Sequence, residues 1–259
     1  MQKVLFPEAA NQYIHAAANI LKQNASCQPI VEACDMAQAC RQLAAGTVDA
    51  IVAGIDWSSR DVILACRDHL GMQEGFKTFS SLFVADLPDG QRYILSDGAT
   101  CKNPTAEQLA DIVILTHDAA AKILAEPPRI AILSFSTFGS GGKDPSIDKT
   151  TATLELLANR RPDILVDGEM QLDAAVDERI GAKKAAAHGG SPVAGRANVL
   201  ITPDINAGNI LYKSLEQFAQ AKIAGPILLG FNYPVSDLSR GSTVEDIVFT
   251  TECLLRLIS

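Results

Sequence analysis

An α/β fold with a mixed, largely parallel sheet is the architecture this sequence predicts, and three observations predict it. Short runs rich in Val, Ile and Leu recur at 48–53, 78–85, 92–96, 129–135, 164–167, 199–202 and 226–229, most of them followed by Gly, Ser or Asp. Runs of that length and composition mark buried strands. Stretches with apolar residues at helical spacing lie between them. One pair of runs, 79–84 and 92–95, flanks Leu87-Pro88-Asp89-Gly90-Gln91, where Asp-Gly provides the positive-φ residue that a tight hairpin wants. An antiparallel pair inside an alternating pattern makes the sheet mixed.

The helices are expected at 11–23, 35–45, 105–125, 144–159, 207–220 and 243–257. The first two carry apolar residues at helical spacing. The third continues Ala-Glu-Gln-Leu-Ala-Asp-Ile-Val-Ile-Leu over about four to five turns at 3.6 residues each, and Asn103-Pro104-Thr105 signals its start. The last follows Ser242-Thr243-Val244-Glu245-Asp246, which holds two overlapping capping boxes. No internal repeat, charge block or low-complexity linker interrupts the pattern.

At 259 residues, 47% of them hydrophobic, the chain is long enough to bury a large core. The net charge of −8 and a pI near 5.0 exclude a broad nucleic-acid surface, which needs a basic stripe. An anionic substrate would have to be met locally, by a few arginines and backbone amides. Cys27, Cys34, Cys40, Cys66, Cys101 and Cys253 are scattered without a Cys-x-x-Cys pair or a histidine cluster, so no metal site is expected and the thiols read as reduced. His15, His69, His117 and His188 match no base motif. The first residues lack the apolar core of a signal peptide, and no apolar stretch is long enough to span a bilayer. A cytoplasmic, soluble protein with no membrane or nucleic-acid partner is the expectation.

The most informative stretch is Gly225-Pro226-Ile227-Leu228-Leu229-Gly230-Phe231-Asn232-Tyr233-Pro234-Val235-Ser236-Asp237-Leu238-Ser239-Arg240-Gly241. It resembles the signature loop of the phosphate acetyl/butyryltransferase (phosphotransacetylase) family. A second segment, Ser134-Phe135-Ser136-Thr137-Phe138-Gly139-Ser140-Gly141-Gly142-Lys143, is similar to that family's Ser-Tyr-Ser-Thr-x-Gly-Ser loop on the phosphate side. Three further stretches are family-like: 99–110, 167–175 and 193–209. The resemblance implies two α/β domains with an interdomain cleft, in an isocitrate/isopropylmalate dehydrogenase-like architecture. Carried onto this chain, the first domain is 1–75 plus 227–259, on the coenzyme A side, and the second is 76–226, on the phosphate-loop side.

The family moves an acyl group between phosphate and the thiol of coenzyme A. A free thiol has a pKa near 8.5, so a carboxylate base beside it is useful. The resemblance implies Asp246 as that base, Ser239 as the hydrogen-bond donor to developing negative charge, and Arg240 as the cation on phosphate or acyl oxygen. Guanidinium suits that role through bidentate, permanently charged contacts. From spacing alone, helix capping is the favoured reading of Asp246, and for Asp237 a loop-closing side chain that bonds backbone amides is the alternative to a functional role.

Ser136, Thr137, Gly139, Ser140 and Gly141 are the expected phosphate binders, because hydroxyls and glycine-exposed amides at a helix start favour an anion. An ordinary Gly/Ser turn fits the same residues. The segment is not a Walker A loop: Thr137 stands at the first glycine position and Asp144 follows the lysine. Gln171, Asp173, Asn206 and Asn209, at strand-to-helix transitions, are further candidates, and capping or loop-tying is the competing reading. No dinucleotide fingerprint follows a strand. The resemblance implies coenzyme A as a substrate, with phosphate and acyl phosphate, and no permanently bound cofactor. A homodimer is expected from the family.

The resemblance runs from about Val48 to the C-terminus, and the N-terminal segment reads as tens of residues shorter than usual, a stretch that normally carries one cleft arginine. The family's Thr-Thr-x-x-x-Leu-Arg-Pro pattern appears here as Ser58-Ser59-Arg60-Asp61-Val62-Ile63-Leu64-Ala65, with Leu64 in the arginine's place and Arg60 or Arg67 one turn away. Tyr233 replaces a lysine and Leu229 a glutamine. Charged hydrogen bonds contribute roughly 1.5–3 kcal/mol each, so these changes either weaken anion binding or reshape the site for another acyl chain. Two functions follow: a phosphate acyltransferase for short acyl groups, working by direct transfer in a ternary complex, or a catalytically weak homologue that holds coenzyme A or acyl phosphate as a binding or scaffold protein.

Overall fold

The computed structural model of the protein describes residues 1–258. In chain order the elements are β1 (Lys3–Phe6), α1 (Gln12–Gln23), β2 (Gln28–Val31), α2 (Met36–Ala44), β3 (Ala50–Ala53), α3 (Ser59–Leu70), β4 (Ser80–Asp86) and β5 (Arg92–Ser96). They continue as α4 (Ala106–Ile123), β6 (Ile130–Leu133), α5 (Pro145–Arg160), β7 (Val166–Met170), α6 (Leu172–Val176), α7 (Glu178–Ala185), β8 (Val199–Ile201), α8 (Ile205–Ala219), β9 (Lys222–Leu229), β10 (Val235–Asp237) and α9 (Val244–Arg256). Each strand expected from the sequence is present. Strands β1, β2 and β10 and helices α6 and α7 were not expected, and α3 was implied only by placing Arg60 and Arg67 a turn from Leu64. β1 and β2 are only four residues long, and β10 hides two polar residues, Ser236 and Asp237, in a fully buried strand.

The chain divides into two compact units, residues 1–84 with 222–259, and residues 85–221. Ser259 of the first unit lies outside the described residues. In the first unit the strands run in the order β2-β1-β3-β10-β9-β4. β1 pairs in parallel with β2 and β3, β3 in parallel with β10, and β10 antiparallel to β9. Helices α2 and α3 cover this sheet through Ala39, Cys40, Leu43, Val62 and Cys66, which pack on Leu5, Ile51, Leu228 and Val235. Burying a Val, Leu or Ile side chain contributes about 1.5–3 kcal/mol.

In the second unit the order is β5-β8-β6-β7, all parallel. The hairpin turn before β5 closes as the sequence predicts: Leu87 N–H donates to the Gln91 carbonyl at 2.8 Å, and Gly90 takes φ +89°. Helix α4 is buried on nearly every side from Leu109 to Thr116, and its one buried acid, Asp111, is matched by Arg160 of α5 at 2.7 Å.

Capping residues set the helix starts. Asn11, Asp35, Thr105 and Asp144 each accept a hydrogen bond from an N–H in the first turn of α1, α2, α4 and α5. Helix α8 begins two residues before the expected position, because Asp204 caps the N–H groups of Asn206 and Ala207.

One glycine fixes how α8 meets the end of β5. A β-carbon at Gly208 would overlap the carbonyl oxygen of Asp97 and crowd the Thr202 hydroxyl, which itself donates to that carbonyl at 2.9 Å. Gly208→Ala should therefore lower the thermal unfolding midpoint, since overpacking costs about 1–3 kcal/mol. Alanine is otherwise the better helix former by roughly 1 kcal/mol. A raised midpoint in a melting experiment would show that the close approach is not a constraint.

Candidate active site

Because β5, β8, β6 and β7 are parallel, the loops that leave their C-terminal ends lie along one edge of the second unit, where α/β sheets collect ligands. Two buried carboxylates hold these loops. Asp97, after β5, accepts the N–H groups of Ala99 at 3.0 Å, Thr100 at 3.1 Å and Cys101 at 2.7 Å, together with the Thr100 hydroxyl. Glu169, near the end of β7, accepts the Ser136 hydroxyl and the Gly139 N–H, both at 2.7 Å.

The loop after β6 then closes on itself. Ser136 N–H donates to the Ser134 hydroxyl, Thr137 N–H to the Ser140 hydroxyl, and Gly141 N–H to the Ser136 hydroxyl. Phe138 N–H donates to the Glu169 carbonyl, Ser140 N–H to that of Thr137, and Gly142 N–H to that of Gly139. Every amide from 136 to 142 is thus engaged inside the protein. Thr137 also bonds Gln171, whose side-chain oxygen accepts from Lys184 at 2.7 Å, and Lys184 pairs with Asp173 at 3.1 Å. That contact holds the Asp173 carboxyl below its ordinary range.

The same logic governs the first unit. Glu8, just past β1, accepts the N–H groups of Gly54 at 2.8 Å, Ile55 at 3.3 Å and Asp56 at 2.7 Å, and so anchors the loop that leads into α3. Beside it, Asp237 ends β10 with 1% of its surface exposed and no hydrogen bond to either carboxylate oxygen. Burial pushes its pKa up to about 7, the Glu8 charge adds to the rise, and the Ser59 side chain gives only partial relief.

Two residues on, Ser239 and Arg240 are exposed at a turn closed by Ser242 N–H donating to the Ser239 carbonyl at 2.9 Å. Asp246 stands in the first turn of α9, in a reciprocal capping box with Thr243 at 2.8 and 3.2 Å. Only one of its oxygens is used in that box. Its side chain lines a cavity of about 300 Å³ with Ile20, Lys222, Val248 and Phe249.

The family description "phosphate acetyl/butaryl transferase" matches residues 26–253. The chain belongs to this family. It is 43% identical over 208 residues to a phosphate acetyltransferase of Clostridium acetobutylicum, covering 78% of this chain and 61% of that one. A phosphate acetyltransferase of Nitrosomonas europaea is 44% identical over 208 residues, covering 80% of this chain and 29% of the relative. The chain therefore spans less than two thirds of the length of these relatives. Among solved structures, a phosphotransacetylase from Streptococcus pyogenes aligns with a TM-score of 0.85 and 30% identity, covering 99% of this chain and 94% of that one.

Against the family pattern, the structure brings Ser136, Thr137, Gly139, Ser140, Gly141, Gln171 and Asp173 into one hydrogen-bonded network of the second unit. Asn209 reaches the β5 loop through the Gly98 carbonyl at 3.4 Å, whereas the exposed Asn206 side chain makes no hydrogen bond among the described residues. Arg60, in the first turn of α3, is exposed and has no ion pair among the described residues, while Arg67 is taken by Asp68 at 2.8 Å. Tyr233, where the family has lysine, packs against the apolar core of the first unit. Among the described residues no group of three or more His, Cys, Asp or Glu is placed to hold a metal.

One reading needs correction. Asp237 does not close its loop by bonding amides; Glu8 occupies the neighbouring amides instead. Glu8, Asp97 and Glu169 were themselves not singled out from the sequence. A usable signal was present: each is an acid within two residues of a strand end, followed in the fold by a loop with many amides to satisfy.

Asp237 sets a pH dependence. Its folded pKa lies above the unfolded value, so its contribution to stability is full below about pH 4 and is lost as pH rises through about 7. Asp237→Asn, a neutral isostere, should melt above the parent at pH 8, with the gap much narrower at pH 5. An equal gap at both pH values in thermal melts would mean that Asp237 is not a buried, titrating acid.

Proposed function

We propose that the protein is a phosphate acyltransferase that interconverts acyl-CoA plus phosphate with acyl phosphate plus coenzyme A, for a short acyl group. The observation that carries this reading is the Ser239-Arg240 turn followed by Asp246 in a chain of this family. Ser239 and Arg240 are exposed, Arg240 has no ion pair among the described residues, and Asp246 is held rigidly with one oxygen to spare. Capping and catalysis are compatible for Asp246, because the capping box uses only one of its two oxygens.

In the direction of thioester formation, Asp246 takes the proton of the coenzyme A thiol. The sulfur attacks the acyl carbon and forms the C–S bond, and the bond to phosphate breaks with its electron pair leaving on phosphate oxygen. Ser239 and Arg240 stabilise the charge that gathers on the carbonyl oxygen. Arg60, exposed and unpaired among the described residues, is the arginine that stands in for the one absent at Leu64. The first unit takes the coenzyme A role and the second the phosphate role, in which Gly139 and Gly141 shape the loop while Ser136, Thr137, Ser140, Gln171, Asp173, Asn206 and Asn209 offer side chains.

Direct transfer is favoured over an acyl-enzyme. The thiol at the edge of the second-unit sheet, Cys101, has its pKa raised by burial and by Asp97, so it is protonated and a poor nucleophile. We place the protein in the cytoplasm, as its unpaired cysteines suggest; no described helix is long and apolar enough to cross a membrane. A homodimer is supported by α8, of which only Gly208 is buried while Ile210 and Phe218 are 65% and 87% exposed. Phe218→Asp should then shift the mass seen by light scattering toward the monomer, and an unchanged mass would remove α8 from the interface.

Thioester formation from coenzyme A with acetyl, propionyl and butyryl phosphate tests the reaction. The parent should turn over. Ser239→Ala and Asp246→Asn should each lower kcat at least about 100-fold, the usual scale for a lost acid–base or charge-stabilising group, with little change in melting. Full activity in Asp246→Asn would remove it as the base, and an inactive parent that still binds coenzyme A would leave a binding protein.

A further inference from the structure

The loops of the second unit have spent their amides, and the question is what remains to attract an anion there. Asp97 takes the N–H groups of Ala99, Thr100 and Cys101; Glu169, the Ser134, Ser136 and Ser140 hydroxyls and backbone carbonyls take those from 136 to 142. Asp204 is likewise occupied, since its Oδ1 caps Asn206 and Ala207.

Among these groups stands Lys149, on the second turn of α5, the helix that follows the 134–143 loop. Its Nζ donates to Asn103 Oδ1 at 3.2 Å, in the loop after β5, and to the Pro203 carbonyl at 2.8 Å, in the loop after β8. Both partners are neutral. An ammonium has three hydrogens, and the described contacts use two. No carboxylate bonds it directly; Asp204 is near enough to favour its charge, and burial opposes that charge, leaving the Lys149 pKa below the ordinary lysine value. A half-buried cation without a direct counter-ion, where α5 ties together two loops on the ligand-collecting edge, is a costly arrangement unless an anion completes it.

We infer that Lys149 binds the phosphoryl group of the substrate through its remaining hydrogen, making it the cation of the second unit. The identity of the anion rests on the acyltransferase reading above; the presence of an anion seat at Lys149 does not. The inference also accounts for how a chain that lacks the family's usual lysine at Tyr233 and arginine at Leu64 still offers charge to phosphate.

The test uses inorganic phosphate as the probe. In the unaltered protein, reductive methylation followed by mass spectrometry should show Lys149 protected by saturating phosphate, with exposed Lys102 and Lys143 unprotected; equal labelling of Lys149 with and without phosphate would overturn the inference. That experiment stands even if the protein shows no turnover, which would sink the acyltransferase reading alone. Lys149→Met should weaken phosphate binding in calorimetry by at least tenfold and raise KM for phosphate in parallel, with KM for coenzyme A within twofold. Lys149→Arg should recover part of the loss. Phosphate affinity unchanged within twofold, or an equal loss of phosphate and coenzyme A affinity together with a fallen melting point, would make Lys149 a structural tie between loops.

Discussion

Buried carboxylates that accept backbone amides are the interaction on which the rest of this structure depends. Glu8, Asp97 and Glu169 each lie just past or at the end of a parallel strand; Glu8 and Asp97 each gather three N–H groups from the loop beside them, and Glu169 takes the Gly139 N–H and the Ser136 hydroxyl. Burying a carboxylate is expensive unless donors replace its water, and a loop packed against a sheet edge must satisfy its amides somewhere. Each requirement meets the other. The loops are fixed before any substrate arrives, which is what a site that works by positioning requires.

That solution has a consequence for charge. An amide already bonded to Glu169 or Asp97 is not available to phosphate, so the familiar device of a glycine-rich loop cradling an anion with its backbone does not operate here in its simple form. Recognition passes to side chains. Of the 22 lysines and arginines, Arg67, Arg92, Arg129, Arg160, Arg161, Lys184 and Arg196 face carboxylates. Lys149 with its neutral partners and the exposed Arg60 and Arg240 stand apart from that group. Asp237 shows the opposite case, a buried acid that gathers no amides, and burial pushes its pKa up to about 7.

The fold was legible where pattern and length agree. Strands such as β3 and β8 are short apolar runs, and α4 is long enough that its cap at Thr105 and its apolar sequence point the same way. β10 was hidden because Ser236 and Asp237 are polar in a strand that tertiary contacts bury, with the Ser236 hydroxyl donating to the Pro226 carbonyl at 2.8 Å. The signature loop announced Ser239, Arg240 and Asp246, and the second capping box of the pair read from the sequence is the one that forms. What no linear reading supplied was the bonding inside the 134–143 loop. Its glycines and hydroxyls look like a phosphate cradle in sequence, and only the fold brings Glu169, about thirty residues on, to fill it. Lys149 was silent for the same reason: its partners, Asn103 and Pro203, are 46 and 54 residues away.

Amide hydrogen exchange over residues 99–101 and 136–142, with and without saturating phosphate, tests the central claim most directly. The account predicts slow exchange in the unliganded protein and little further protection when phosphate is added, because those N–H groups are already bonded to Asp97, Glu169 and their neighbours. Fast exchange that phosphate slows strongly would contradict it, showing that the loops are open amide cradles which the anion itself fills.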